Sequence, residues 1–163
     1  KDFPKAGIVF KDITTLLKDT KGLKDVIDIF SDRYRNKGIK HILGADARGF
    51  IFGAAIAYNI GAGFVPIRKK GKLPSTTLCE KYELEYGFDE VEVHFDAFRD
   101  IKKPKVLLID DLVVSGGTAV AAANLIEKLD ASLVEACFIL NFSILPGKAK
   151  LEEKTKVYAV LEI

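Results

Sequence analysis

Cysteine and histidine are scarce in this sequence, with two of each, and neither pair is spaced for chemistry. Cys79 and Cys137 lie far apart and form no CxxC motif, so a disulfide framework is not expected and a reducing compartment, the cytoplasm, is. His41 and His94 are equally isolated, and no zinc-ligand spacing is present. No apolar stretch approaches the roughly 20 residues that a membrane span needs. An excess of one charge is missing too: 25 Lys and Arg against 23 Asp and Glu leave +2, which gives no electrostatic footprint for nucleic acid. There is no signal-peptide pattern and no initiator methionine, so some residues are expected to precede Lys1.

What remains is a chain of 163 residues, 48% hydrophobic, sufficient for a single domain over 1–163 with one core. Its element types alternate. Leu23, Val26, Ile27, Phe30 and Tyr34 recur at helical spacing and Gly38 follows as a stop. His41 to Asp46 reads as a strand, Phe50 to Ile60 as a helix closed by Gly61, and Phe64 to Arg68 as a strand. Pro66 argues that this strand lies at an edge or carries a bulge. Lys69 to Gly87 is polar, with weak periodicity. Glu90 to Phe95 alternates strictly, as a half-exposed strand does. Lys105 to Asp110 is a continuous apolar run, the form of a strand buried on both faces. An Ala-rich helix from Thr118 to Leu129 and strands near Leu133–Leu140 and Lys156–Leu161 complete the chain. Strands alternating with helices imply an α/β fold, a mainly parallel central sheet flanked by helices. Ligands of such sheets bind beyond the carboxyl ends of the strands, here Asp46–Gly49, Arg68–Lys72 and Asp110–Thr118.

The third of these ends carries the chemistry. In Val106–Thr118 (VLLIDDLVVSGGT) an apolar strand runs into paired carboxylates, Asp110 and Asp111, and then into Ser115-Gly116-Gly117-Thr118 opening a helix. Glycines admit a ligand close to backbone N–H groups, the two hydroxyls can donate, and a helix N-terminus favours an anion. That half suits a phosphate monoester. The carboxylates would repel a phosphate, and so suit sugar hydroxyls beside it. A ribose 5-phosphate meets both demands, and displacement at its C1 builds oxocarbenium character that nearby carboxylates stabilise. The absence of a following Gly-Lys-Ser/Thr excludes a Walker A loop, and GxGxxG is also absent.

The string Ile109–Thr118 resembles the signature of type I phosphoribosyltransferases, enzymes that use 5-phosphoribosyl 1-pyrophosphate (PRPP). Four flanking motifs resemble the adenine phosphoribosyltransferase family: Asp2–Ile13, Gly44–Phe50, Ile67–Pro74 and Tyr82–Gly87. Together they cover nearly the whole chain in one collinear order. The resemblance implies transfer of the phosphoribosyl group of PRPP to N9 of adenine, giving AMP and pyrophosphate. It implies that Val113, Val114, Ser115, Gly116, Gly117 and Thr118 hold the 5-phosphate, with Asp110 and Asp111 on the ribose. Asp46, Ala47 and Arg48 would form the pyrophosphate loop, where the family often carries a cis peptide. Arg68, Lys69 and Lys72 would neutralise the pyrophosphate, and Lys69 to Gly87 would be a mobile loop or hairpin closing over the site.

Within that loop, Glu85 matches the family's acid/base residue and Tyr86 its neighbour that helps close the site. Ile8, Val9, Phe10 and Lys11 would line the adenine pocket, with Phe10 as a stacking surface. Read without the family, Glu85 is a solvated loop carboxylate and Ile8 to Phe10 are core residues. The resemblance further implies Mg²⁺ carried in with PRPP rather than held by a protein cage, and a homodimer. Two positions depart from the pattern. Val114-Ser115 stands where many members have Ala-Thr, although serine keeps the hydroxyl. Lys11 stands where members often have Arg, and lysine does not reproduce guanidinium stacking. Alternative substrates are xanthine, guanine or hypoxanthine. A non-catalytic PRPP sensor is the alternative of another class, against which stand the balanced charge and the short chain.

Overall fold

The computed structural model describes residues 12–83 and 87–163. Helices α1 (Thr14–Leu17) and α2 (Thr20–Tyr34) come first. Asp19 caps α2, its side chain accepting the Gly22 N–H at 2.6 Å, which satisfies one of the donors a helix start leaves free. The inward stripe of α2 is Val26, Phe30 and Tyr34, all buried, as the periodicity predicts. Strand β1 (His41–Ala45), helix α3 (Arg48–Ile60) and strand β2 (Gly63–Lys69) form the first βαβ unit. A hairpin of β3 (Thr77–Glu83) and β4 (Phe88–His94) follows. Strand β5 (Lys105–Val113), helix α4 (Gly117–Lys128) and strand β6 (Ser132–Asn141) form the second unit, and α5 (Gly147–Glu152) and β7 (Val157–Glu162) close the described chain.

The strands form one seven-stranded sheet in the order β3-β4-β2-β1-β5-β6-β7. Strands β2, β1, β5, β6 and β7 run parallel, and the β3–β4 hairpin joins β2 antiparallel. Alternate residues of β5 serve opposite faces. Leu107 and Ile109 pack with α2 and α3 residues such as Phe30 and Phe52, whereas Val106 and Leu108 pack with Ala122, Leu125 and Ile126 of α4. The central strand is thus buried on both sides, which is why it reads as an unbroken apolar run. The strand order reverses at β1: the chain steps to β2 on one side, while β5 lies on the other. That reversal opens a crevice at the carboxyl ends of β1 and β5.

Two expectations need correction, and one left open between loop and hairpin is decided. Thr77–Glu83 is a strand of a hairpin, although its residues show only weak periodicity. Only Tyr82 of its residues is buried, so an exposed hairpin strand showed no apolar pattern. Strand β2 is not at the sheet edge, because β4 lies beside it. However, β4 pairs only with Arg68 and Lys69, and the odd-numbered residues of β2, such as Gly63 and Ile67, direct their backbone groups to β1, so the Pro66 nitrogen faces the β4 side beyond that pairing. The missing N–H of Pro66 therefore breaks no described ladder bond. Strand β4 is not simply half exposed: Val91 and Val93 are buried as expected, and Glu92 between them is buried too. Its surroundings belong to the site.

Candidate active site

Beyond the ends of β1 and β5 lies a cavity of about 230 Å³, lined by Asp46, Ala47, Arg48, Lys69 and residues 110–119. Each wall follows from local structure. On the β1 side the chain leaves the strand at Ala45, and the Asp46–Ala47 peptide is cis, at the place where the resemblance implied one. Helix α3 then starts at Arg48. It must start close to β5, for a Cβ on Gly49 would stand 2.6 Å from the Ile109 carbonyl oxygen. That approach places Arg48 beside the paired carboxylates.

On the β5 side the strand runs further than expected, through Asp110 and Asp111 to Val113. The side chain of Val113 is buried in the core, so only its backbone can face a ligand. The turn proper is therefore Val114–Gly116, leading into α4 at Gly117. Gly116 sits at φ +80°, in the left-handed region that other residues rarely adopt, and a Cβ there would stand 2.8 Å from the Gly147 carbonyl oxygen. The Gly147 N–H in return donates to the Val114 carbonyl at 3.1 Å, tying the turn to the start of α5. Val114, the bulkier departure from the family pattern, is half exposed and crowds nothing in the core. The first N–H groups of α4 have no partner within the helix and open onto the cavity.

The two carboxylates differ. Asp111 is buried and forms an ion pair with the Arg48 guanidinium through Nε. Asp110 accepts the Asp111 N–H at 2.9 Å. Burial, with the neighbouring Asp111 charge second, holds the Asp110 carboxyl well above the usual carboxylate range, despite Arg48 nearby.

The basic cluster is only partly in the cavity. Lys69 lines it, with its ammonium also bound to Asp89 and, at 2.5 Å, to the Tyr82 hydroxyl. Arg68 and Lys72 do not line it. Arg68 reaches it indirectly, donating from Nε to Asp46 at 3.1 Å and from a terminal nitrogen to the Lys72 carbonyl at 3.0 Å. Beneath this turn lies Glu92, a residue the alternating pattern gave no reason to single out. Ile8, Val9, Phe10, Lys11, Glu85 and Tyr86 lie outside the described residues. Among the described residues no group of three or more His, Cys, Asp or Glu could hold a metal ion, and no helix is long and apolar enough to cross a membrane.

A phosphoribosyl transferase domain model matches residues 12–163. Over 162 residues the chain is 59% identical to the adenine phosphoribosyltransferase of Aliarcobacter butzleri, covering 99% of this chain and 88% of that one. The crystal structure of the enzyme of that name from Thermoanaerobacter pseudethanolicus superposes with a TM-score of 0.92 at 41% identity, over 99% of this chain and 92% of that chain. The Saccharomyces cerevisiae protein, solved with an imino-altritol bisphosphate and adenine, gives 0.91 at 35% identity, over 98% of this chain and 91% of that chain. With the sheet order, the Asp110–Thr118 turn and these relatives agreeing, the chain belongs to the phosphoribosyl transferase family, among the adenine phosphoribosyltransferases.

Proposed function

We propose that this chain transfers the 5-phosphoribosyl group of PRPP to N9 of adenine, releasing AMP and pyrophosphate in purine salvage. The observation that carries the reading is the cavity where paired carboxylates, an anion-binding helix start and a cationic loop meet at the β1–β5 crevice. In that reading the 5-phosphate sits on the Val114–Thr118 turn, where backbone N–H groups and the hydroxyls of Ser115 and Thr118 bind it. Asp110 and Asp111 take the ribose hydroxyls and stabilise positive charge developing at C1. Asp46–Arg48 faces the pyrophosphate, with Lys69 directly and Arg68 and Lys72 from the loop behind.

Asp111 is already paired with Arg48, so the arrival of the substrate divides that pair's work. The guanidinium turns toward the leaving group and the carboxylate toward the sugar. Magnesium would come with PRPP as part of the substrate and would supply positive charge to offset that of the leaving pyrophosphate. The hard oxygen donors of Asp110 and Asp111 beside a polar cavity fit such an ion with its waters. Glu85 serves as the acid/base residue on the purine, Tyr86 helps close the site, and Ile8 to Lys11 form the adenine pocket. The chain acts as one domain, as a homodimer in the cytoplasm. Its described thiols, Cys79 and Cys137, are both free, in keeping with a reducing compartment. Incubation with Mg-PRPP and each purine base, following nucleotide and pyrophosphate, tests the reading.

A further inference from the structure

Glu92 is a carboxylate at the centre of β4, only 3% exposed, and it makes no ion pair among the described residues. A buried carboxylate without a cation must draw its stabilisation from neutral donors. Here they come from one segment. Oε1 accepts the N–H groups of Lys72 and Leu73, each at 2.8 Å, and Oε2 accepts the Thr77 hydroxyl at 3.2 Å, with the Cys79 thiol at 3.9 Å. Burial pushes the Glu92 carboxyl up. The backbone N–H groups of Leu73, Gly71 and Lys72, and Thr77, outweigh it and hold the carboxyl below its ordinary range.

The same peptide turn reaches the cavity. While the Lys72 N–H is held by Glu92, the Lys72 carbonyl accepts a hydrogen bond from Arg68 at 3.0 Å. Arg68 in turn donates to Asp46, the first residue of the cis peptide loop, at 3.1 Å. A continuous chain of contacts thus runs from Glu92 through the Lys72 backbone and Arg68 to Asp46. Charged acceptors on backbone N–H groups are among the stronger hydrogen bonds. The other described ties of this segment are the Lys72 N–H to the Lys69 carbonyl at 3.2 Å, the Lys70 N–H to the Glu90 carbonyl at 3.1 Å and the Lys70–Glu90 ion pair, so Glu92 alone holds the Leu73 N–H.

We propose that Glu92 is a positioning residue for pyrophosphate recognition: it fixes the Gly71–Leu73 turn, and through the Lys72 carbonyl the Arg68 guanidinium, in the orientation that receives the leaving group. Glu92 touches no substrate and takes no part in proton transfer. The inference rests on the reading of Arg68 as a pyrophosphate ligand.

The test is steady-state kinetics in both directions on the full chain, with PRPP and adenine forward and AMP and inorganic pyrophosphate in reverse. Glu92→Ala raises KM for PRPP and for pyrophosphate by about tenfold or more, the scale of a lost hydrogen bond to a charged group. KM for adenine stays unchanged. In an Arg68→Ala background Glu92→Ala adds little, because the group it orients is gone. If Glu92→Ala does not fold, Glu92→Gln, nearly isosteric, carries the same selective effect at about threefold, as a neutral acceptor replaces a charged one.

A folded Glu92 variant that leaves both pyrophosphate-dependent KM values unchanged overturns the proposal. So does one that raises the adenine KM equally, or whose effect multiplies fully with that of Arg68→Ala. If Arg68→Ala itself leaves KM for PRPP and pyrophosphate unmoved, the reading of the cationic loop fails first, and the positioning role falls with it.

Discussion

Arg48 and Asp111 form an ion pair that joins the start of α3 to the end of β5, with 47% of the arginine side chain exposed and only 3% of the aspartate side chain. The pair spans the two strand ends between which the cavity lies. Removing the Asp111 charge leaves a cation without its partner and deprives the proposed ribose site of one of its two carboxylates. Asp111→Asn is expected to lower kcat/KM for PRPP on the order of 10²-fold, the scale for truncating one member of a buried charge pair. Initial rates at saturating adenine measure it. A loss below about threefold would mean that the carboxylate is structural only.

Gly116 is required twice, by its left-handed backbone and by the Gly147 carbonyl packed where a Cβ would go. Gly116→Ala is expected to cost about 1–3 kcal/mol of stability and to weaken PRPP binding by displacing the N–H groups of the turn. Urea unfolding and PRPP titration by calorimetry check both effects. Gly71, also at positive φ but with open space around it, provides a comparison in which Ala meets no clash.

Far from the cavity, Glu135 of β6 accepts two hydrogen bonds from Arg33 at 3.0 Å and one from the Tyr34 hydroxyl. Burial alone would raise its pKa, but the Arg33 and Tyr34 hydrogen bonds outweigh it and the carboxyl sits below its ordinary value of 4.5. A depressed carboxylate contributes stability above its unfolded pKa and loses it as pH falls through the folded one. Arg33 is more than a third exposed, so solvent screening limits the effect to about 1 kcal/mol. Glu135→Gln is therefore expected to be less stable than the parent at pH 7. The difference should vanish once acid protonates Glu135, since a protonated glutamate and a glutamine present similar groups. Denaturant unfolding across pH 3–7 measures it, and a gap that persists in acid would refute the assignment.

Glu85 is the proposed acid/base residue. Glu85→Gln is expected to lower kcat by about 10²–10⁴-fold, the range of general acid/base catalysis, while KM for PRPP changes little. Burst kinetics would separate this from slow product release. An unchanged kcat would move the proton transfer elsewhere.

Much of this was legible in the residues themselves. The apolar run of β5 ending in Asp110-Asp111 marked both the central strand and the chemistry, because burial on two faces and a strand-end ligand site leave opposite signatures side by side. The Gly116–Gly117 turn announced itself through the backbone freedom it needs. The hairpin strand Thr77–Glu83 did not, since its ladder with β4 is made by main-chain N–H and C=O groups that every non-proline residue carries whatever its side chain. Glu92 stayed hidden for a related reason. Its partners are N–H groups from a turn some 20 residues earlier, and no side-chain pattern encodes a backbone donor. The Arg48–Asp111 pair, 63 residues apart in sequence, follows only once β1 and β5 are neighbours.

The measurement that bears most directly on the account is turnover of Mg-PRPP with adenine, compared with xanthine, guanine and hypoxanthine, reading nucleotide and pyrophosphate together. The account predicts rapid AMP and equimolar pyrophosphate with adenine, and little product with the other bases. PRPP bound without conversion of any base, or turnover confined to another purine, would contradict it.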